Sequence, residues 1–221
     1  MLRGLFVTGT DTNAGKTVTC AALLHRYRQA TPVGYWKPIQ TGIEQDDDTA
    51  EVRRLAACSA EELLCEGVRL PRPVSPHLAA RWSGMRICLD ELPAIIRTRS
   101  EVRSWIVEGA GGALVPLNES EFMTDLMRAL ALPIVVVARS TLGTINHTLM
   151  TIEALRARSL SVAGVVMVGE KNSDNREAIE RYGNVFVLGE LPLLKPLDAA
   201  TLAQWAASEL DPEGRLLGLL R

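Results

Sequence analysis

No apolar run in this chain is long enough to cross a bilayer. The longest, Leu132-Pro133-Ile134-Val135-Val136-Val137-Ala138, falls far short of a spanning helix and contains a proline. The first residues lead straight into a strand-like stretch without a secretory pattern, so no membrane role and a cytoplasmic location are expected. Cysteine is sparse. Cys20, Cys58, Cys65 and Cys88 form no C-x-x-C pair and have no histidine at metal-binding spacing, so reduced thiols are expected and a structural zinc site is not. Charge of one sign is lacking as well: Lys and Arg number 24 against 26 Asp and Glu, a formal net charge of −2. Without a basic field, nucleic acid is not an expected ligand. Internal repeats and low-complexity segments are not evident. At 221 residues the chain can bury a sizeable core, and residues 1–221 are expected to form a single α/β domain.

What is present is a regular alternation. Short β-rich runs at Leu5–Thr8, Val33–Pro38, Trp105–Glu108, Ile134–Ala138, Val162–Val168 and Val185–Leu188 are separated by helix-like stretches. Strands joined by helical crossovers predict a doubly wound, mostly parallel sheet with helices on both faces. In such sheets ligands gather beyond the carboxyl ends of the strands, so the residues following each run are the ones to inspect. Glu44–Asp48 and Leu70–Pro76 read as surface loops, the latter from Pro71, Pro73 and Pro76. His25 is expected on a helix. Trp36, Trp82, Trp105 and Trp205 are expected in the core or an interface.

After the first run comes Gly9-Thr10-Asp11-Thr12-Asn13-Ala14-Gly15-Lys16-Thr17. A glycine-rich turn between strand and helix lets backbone N–H groups close around phosphates. Lys16 can then reach the β/γ-phosphates, and the Thr17 hydroxyl can serve Mg²⁺. The pattern predicts a P-loop, hence a nucleoside triphosphate. Thr10 stands where the strict pattern has glycine, with Gly9 one place earlier. After the second run comes Lys37-Pro38-Ile39-Gln40-Thr41-Gly42, which puts another cation at a strand end, suited to charge developing on a transferring phosphoryl group. Asp46-Asp47-Asp48 reads as a loop or a helix cap before Thr49–Leu55, or as a source of one carboxylate for Mg²⁺. The run Ser104-Trp105-Ile106-Val107-Glu108-Gly109-Ala110-Gly111-Gly112 ends a strand in a carboxylate followed by glycines. In phosphate-loop enzymes a carboxylate at the end of a neighbouring strand helps place the metal, and Glu108 holds that position. Lys171–Arg176 reads as a turn and helix start.

Taken in order, Gly9-Thr10-Asp11-Thr12-x-x-Gly15-Lys16-Thr17, Lys37-Pro38-x-x-Thr41-Gly42, Ser75-Pro76-His77, Val107-Glu108-Gly109-Ala110-Gly111-Gly112, Leu142-Gly143-Thr144-Ile145-Asn146-His147 and Gly189-Glu190-Leu191-Pro192 resemble the dethiobiotin synthetase family through nearly the whole chain. The resemblance implies an ATP-using cyclo-ligase of biotin biosynthesis. It would carboxylate 7,8-diaminononanoate with CO2 (or bicarbonate) and close the ureido ring, giving dethiobiotin, ADP and phosphate. It implies Mg²⁺ held by Thr17, Asp48 and Glu108, Asp48 being preferred to Asp47 by the family's pattern. Catalysis would fall to Lys37, Lys16 and Thr12. Nucleotide contacts would come from Asn13, Ala14, Gly15, Lys16, Thr17, Val18, Asp48, Glu108, Gly109, Ala110, Gly111, Pro192, Leu193 and Leu194. The substrate would meet Thr12, Lys37 and Thr41, with Gly143, Thr144, Ile145 and Asn146 taking its carboxylate across a homodimer interface. Capping of the helix by Thr144 is compatible with that role. One departure concerns the base: familiar members have an Asn-Asp pair that contacts adenine after the stretch matching Val162–Met167, where this chain has Val168-Gly169. A partitioning ATPase of related fold would carry an extra lysine near the start of the loop, where Thr10 and Asp11 stand. A small-molecule kinase would not require the Lys37-Pro38 run together with Glu108-Gly109-Ala110-Gly111-Gly112.

Overall fold

The computed structural model describes residues 2–99 and 103–221. Its strands are β1 (Gly4–Gly9), β2 (Val33–Trp36), β3 (Ile39–Thr41), β4 (Leu63–Leu64), β5 (Val68–Leu70), β6 (Ser104–Gly112), β7 (Ile134–Arg139), β8 (Val162–Val168) and β9 (Val187–Leu191). The helices are α1 (Lys16–Tyr27), α2 (Asp48–Ala56), α3 (Pro76–Trp82), α4 (Glu91–Arg97), α5 (Met123–Leu130), α6 (Thr144–Arg156), α7 (Ser173–Gly183), α8 (Ala199–Glu209) and α9 (Leu217–Leu220). Seven strands form one sheet in the order β4-β2-β6-β1-β7-β8-β9, and every pairing in it is parallel.

The central strands are buried on both faces, which explains their unbroken apolar runs. Leu5 and Val7 of β1 join a core with Tyr35, Ile106, Val135 and Val137, covered by residues of α1, α2 and α8. Phe6, between them in sequence, points the other way. It joins Trp36, Val107 and Val136 in a core covered by α3, α4, α5, α6 and α7. The period of two along a strand thus feeds two separate cores.

Strand order reverses around β1, which has β6 on one side and β7 on the other. In doubly wound sheets such a switch point opens a crevice at the carboxyl ends of the strands. The turn from β1 into α1 lies there. Gly15 caps α1 in the left-handed region at φ 100, and a Cβ on it would sit 3.0 Å from both γ-methyls of Val168. Both the backbone angle and the close approach call for glycine.

Several elements differ from the sequence reading. The second strand ends at Trp36, leaving Lys37 and Pro38 just beyond it, because Pro38 has no N–H for a ladder. The last strand is displaced to Val187–Leu191, since Asn184 closes α7 in the left-handed conformation and register with β8 begins at Val187. Strands β3, β4 and β5 were not expected; two or three residues are too few to display a period of two. The Lys171–Arg176 segment is a turn into α7, with Asn172 as its N-cap. His25 lies on α1. Trp36, Trp105 and Trp205 are buried, whereas Trp82 at the end of α3 is exposed.

Candidate active site

A cavity of about 660 Å³ opens at the crevice. Its walls come from the β1–α1 loop, the segment after β2, the start of α2, the end of β6 and the loop before α3. Thr12, Asn13, Gly15, Lys16, Thr17, Val18, Lys37, Thr41, Asp48, Glu108, Ala110 and Gly111, all sequence-predicted, line it together. Ala14 is buried beneath the loop, and Gly109 contributes its carbonyl behind the wall.

The first turn of α1 carries no acidic residue of its own, so the partial positive charge of its N-terminus is directed at the cavity. Free N–H groups and that dipole suit an anionic phosphate. Lys16 is buried, and its Nζ donates to the Asp11 carbonyl at 3.1 Å. Burial, then the charge of Lys37, holds its ammonium pKa below the usual lysine value.

Three oxygen side chains meet beside it. The single proton of Thr17 Oγ1 is shared between Asp48 Oδ1 at 3.0 Å and Glu108 Oε1 at 3.1 Å. Lys37 Nζ donates to Asp48 Oδ2 at 2.7 Å, to Glu108 Oε1 at 2.7 Å and to the Gly109 carbonyl at 3.2 Å, using all its donors. Burial alone would lower the Lys37 pKa. The carboxylates of Glu108 and Asp48 outweigh it and raise the pKa instead. For Asp48 burial pushes upward, but Lys37 outweighs it and holds the carboxyl below the ordinary carboxylate range. Breaking either contact would strand a charge in a poorly solvated place, so the cluster is costly to disassemble.

The acidic run divides its labour. Asp47 is the N-cap of α2, its Oδ1 accepting from Thr49 N at 2.9 Å and Ala50 N at 3.0 Å. Capping turns Asp47 toward the helix backbone, and Asp48, the next residue, reaches Thr17 and Lys37. Two carboxylates and a hydroxyl are a hard-oxygen set of the kind Mg²⁺ accepts when phosphates supply further ligands. The donors therefore fit that ion. Among the described residues no group of three or more His, Cys, Asp and Glu side chains is gathered to hold a metal.

Other predicted residues lie apart. Gly143, Thr144, Ile145 and Asn146 begin α6 and do not line the cavity. Thr144 does not cap that helix. Gly143 occupies the cap position at φ 92, and the buried Thr144 hydroxyl lies 3.4 Å from that of Thr148. Pro192, Leu193 and Leu194 follow β9 and also lie outside the cavity wall. Where the amide pair was missed in the sequence, Val168 packs on Gly15. Gly169 follows at φ 130, and a Cβ there would collide with Ser140 Oγ.

Three neighbours were not singled out from sequence. Arg139, the last residue of β7, donates to the Thr12 carbonyl at 2.8 Å and pairs with Asp11 Oδ2 at 3.4 Å, bracing the tip of the phosphate loop. Its place at a strand end was the signal. Gln40 Nε2 donates to the Asp46 carbonyl at 2.8 Å, tying the acidic loop to β3. Tyr35 Oη donates to Glu108 Oε2 at 2.8 Å from within the core, where nothing in the sequence distinguishes it from a packing residue.

A family model described as an AAA domain matches residues 3–201. The ATP-dependent dethiobiotin synthetase BioD of Paramagnetospirillum magneticum is 52% identical over 202 residues, covering 91% of this chain and 94% of that protein. The protein of the same name from Rhodopseudomonas palustris is 43% identical, covering 94% of each. The one from Brucella ovis is 44% identical, covering 90% of each. Among solved structures, the MinC:MinD cell division complex of Aquifex aeolicus superposes with a TM-score of 0.61 at 14% identity, covering 98% of this chain and 96% of that one. A ParA family ATPase from Chlorobium tepidum gives 0.59 at 8% identity, covering 93% and 98%. At such identities these structures establish the fold, a P-loop α/β sheet, and nothing of the chemistry.

Proposed function

The chain belongs to the ATP-dependent dethiobiotin synthetase family and is an ATP-using carbon–nitrogen ligase of that class; from that premise we propose how its residues perform the reaction. One amine of 7,8-diaminononanoate adds CO2, giving a carbamate and releasing a proton. A carbamate oxygen attacks the γ-phosphorus of ATP and ADP leaves. The second amine then attacks the carbonyl of the mixed anhydride, expelling phosphate and closing the ureido ring.

The observation that carries this reading is the joining of Lys16, Thr17, Lys37, Asp48 and Glu108 along one cavity wall. Carbamate and triphosphate are both anions, and their approach has to be offset by fixed positive charge. Lys16 supplies it from a buried wall, where it acts more strongly than in water, and Lys37, here balanced by Asp48 and Glu108, would add to it where Mg²⁺ draws on those carboxylates. Thr12 and Thr41 offer hydrogen bonds to the carbamate or diamine end. Thr17, Asp48 and Glu108 would hold Mg²⁺, which when bound neutralises phosphate charge. The nucleotide would meet Asn13, Ala14, Gly15, Val18, Gly109, Ala110 and Gly111 at its phosphates, and Pro192, Leu193 and Leu194 at its base. Water must be kept from the mixed anhydride, which it would hydrolyse.

Residues 1–221 would act as one P-loop domain in a cytoplasmic homodimer, with Gly143, Thr144, Ile145 and Asn146 receiving the substrate carboxylate from the partner subunit's site. Among the described residues no helix is long and apolar enough to cross a membrane. The test is ATP turnover with and without the diamine and bicarbonate. Dethiobiotin formation with ADP release only when both are present is the expected result; phosphate release indifferent to both would refute the assignment of these residues.

A further inference from the structure

We propose that Tyr35 is a positioning residue for Glu108, fixing the plane of its carboxylate so that one oxygen is offered to the metal and phosphate side of the site. The inference rests on the reading of Glu108 as a metal-side group. Tyr35 lies on β2 with no exposed surface, its ring in the core that also holds Leu5, Val7 and Ile106. Its hydroxyl donates to Glu108 Oε2 at 2.8 Å. Thr17 and Lys37, both cavity-lining, address the other oxygen, Oε1, at 3.1 and 2.7 Å. The carboxylate is therefore held from two sides, by the core on Oε2 and by the site on Oε1.

Packing alone does not call for this hydroxyl. Phenylalanine would fill the same core space, and a phenolic group deep in a core is unfavourable unless it finds a partner. Here the partner is a carboxylate that is only 1% exposed. A terminal carboxylate torsion is broad and roughly two-fold, and removing one anchor lets the fork turn. Groups that orient a metal ligand in this way commonly matter nearly as much as the ligand.

The experiment compares binding of the β,γ-imido analogue of ATP with Mg²⁺ and with chelator, by calorimetry, in wild type, Tyr35→Phe, Glu108→Gln and the double variant. Tyr35→Phe is expected to cut the Mg²⁺-dependent gain in affinity about tenfold, while binding in chelator stays near wild type. The double variant should resemble Glu108→Gln, because residues acting through one group are not additive. An undiminished Mg²⁺ gain in Tyr35→Phe, with Glu108→Gln impaired, would overturn the positioning role alone. Additive losses in the double variant would also overturn it. A full Mg²⁺ gain in Glu108→Gln would overturn the metal-side reading of Glu108 and this role with it. Should Tyr35→Phe fail to fold by thermal melting, 3-fluorotyrosine at position 35 keeps the ring and strengthens the donor. A Mg²⁺ gain indifferent to that change would equally refute the role.

Discussion

At the scale of single residues, the site sets two lysines against two carboxylates, and the pKa directions of Lys16, Lys37 and Asp48 follow from burial and from the charges facing them. Lys16 and Lys37 were legible in the sequence because one follows a glycine-rich turn and the other a strand. Their opposite pKa directions were not, since these depend on which carboxylates face them across the crevice. Lys16 has its nearest hydrogen-bond acceptor in a backbone carbonyl, whereas Lys37 bridges two carboxylates. Lys16→Ala is therefore expected to leave the fold intact and lower kcat by roughly a hundredfold or more, the scale of losing one preorganised electrostatic contact. Product assays beside a melting curve check both halves. Asp48 gives a pH-dependent prediction. Its pKa is lower in the folded chain than the ordinary value near 4, so its charge adds stability above that value, and the addition is lost as pH falls through the depressed folded value. Asp48→Asn should then be less stable than wild type by about 2 kcal/mol near neutrality. The gap should close in acid, once the native carboxyl of the wild type is protonated. Denaturant melts across pH measure it; a gap that persists or widens in acid would contradict the coupling to Lys37.

Among elements, the long buried strands were read correctly in kind, because apolar runs bounded by turns leave few alternatives, but β6 continues past Glu108 to Gly112 and the last strand is displaced to Val187–Leu191. The short parallel pair of β3 with β5 was not read, and it shapes the cavity wall. Ile39, Gln40 and Thr41 pair with Val68, Arg69 and Leu70, and this holds Thr41 at the cavity wall. Only pairing over distance creates such strands, so local pattern cannot announce them. The carboxyl end of β8 shows a further limit. The sequence shows that amide side chains are missing at Val168 and Gly169; the structure adds why the positions are apolar and small, with Val168 packed on Gly15 and Gly169 against Ser140. With no side-chain amide there to read a base edge, discrimination among ATP, CTP and GTP is expected to stay within about a hundredfold in kcat/KM. Competition assays with paired nucleotides check this. Strict preference for ATP would mean that another element, such as the segment after β9, does the reading.

For the whole molecule, the order of motifs along the chain sufficed to assign the family, yet one motif stands apart from the cavity. The start of α6 does not line it, and Leu142, Asn146 and Met150 along this segment are exposed. A substrate with amines at one end and a carboxylate several methylenes away needs a second cluster of donors, and a helix N-terminus without acidic residues in its first turn is one. A two-fold homodimer would bring that terminus to the partner's cavity and create two identical composite sites. In that arrangement Asn146→Asp would put a negative charge beside the bound carboxylate, so it should raise KM for the diamine and leave nucleotide affinity nearly unchanged. Lys37→Ala should be inactive. In a heterodimer of the two variants both lesions fall in one site, and the other is wild type throughout. At a diamine concentration too low for the Asn146→Asp homodimer, mixing should restore about half the wild-type activity per heterodimer, one site of two. If heterodimers form, as native mass measurement can show, and activity does not return, Asn146 and Lys37 serve the same chain's site and the composite arrangement is wrong.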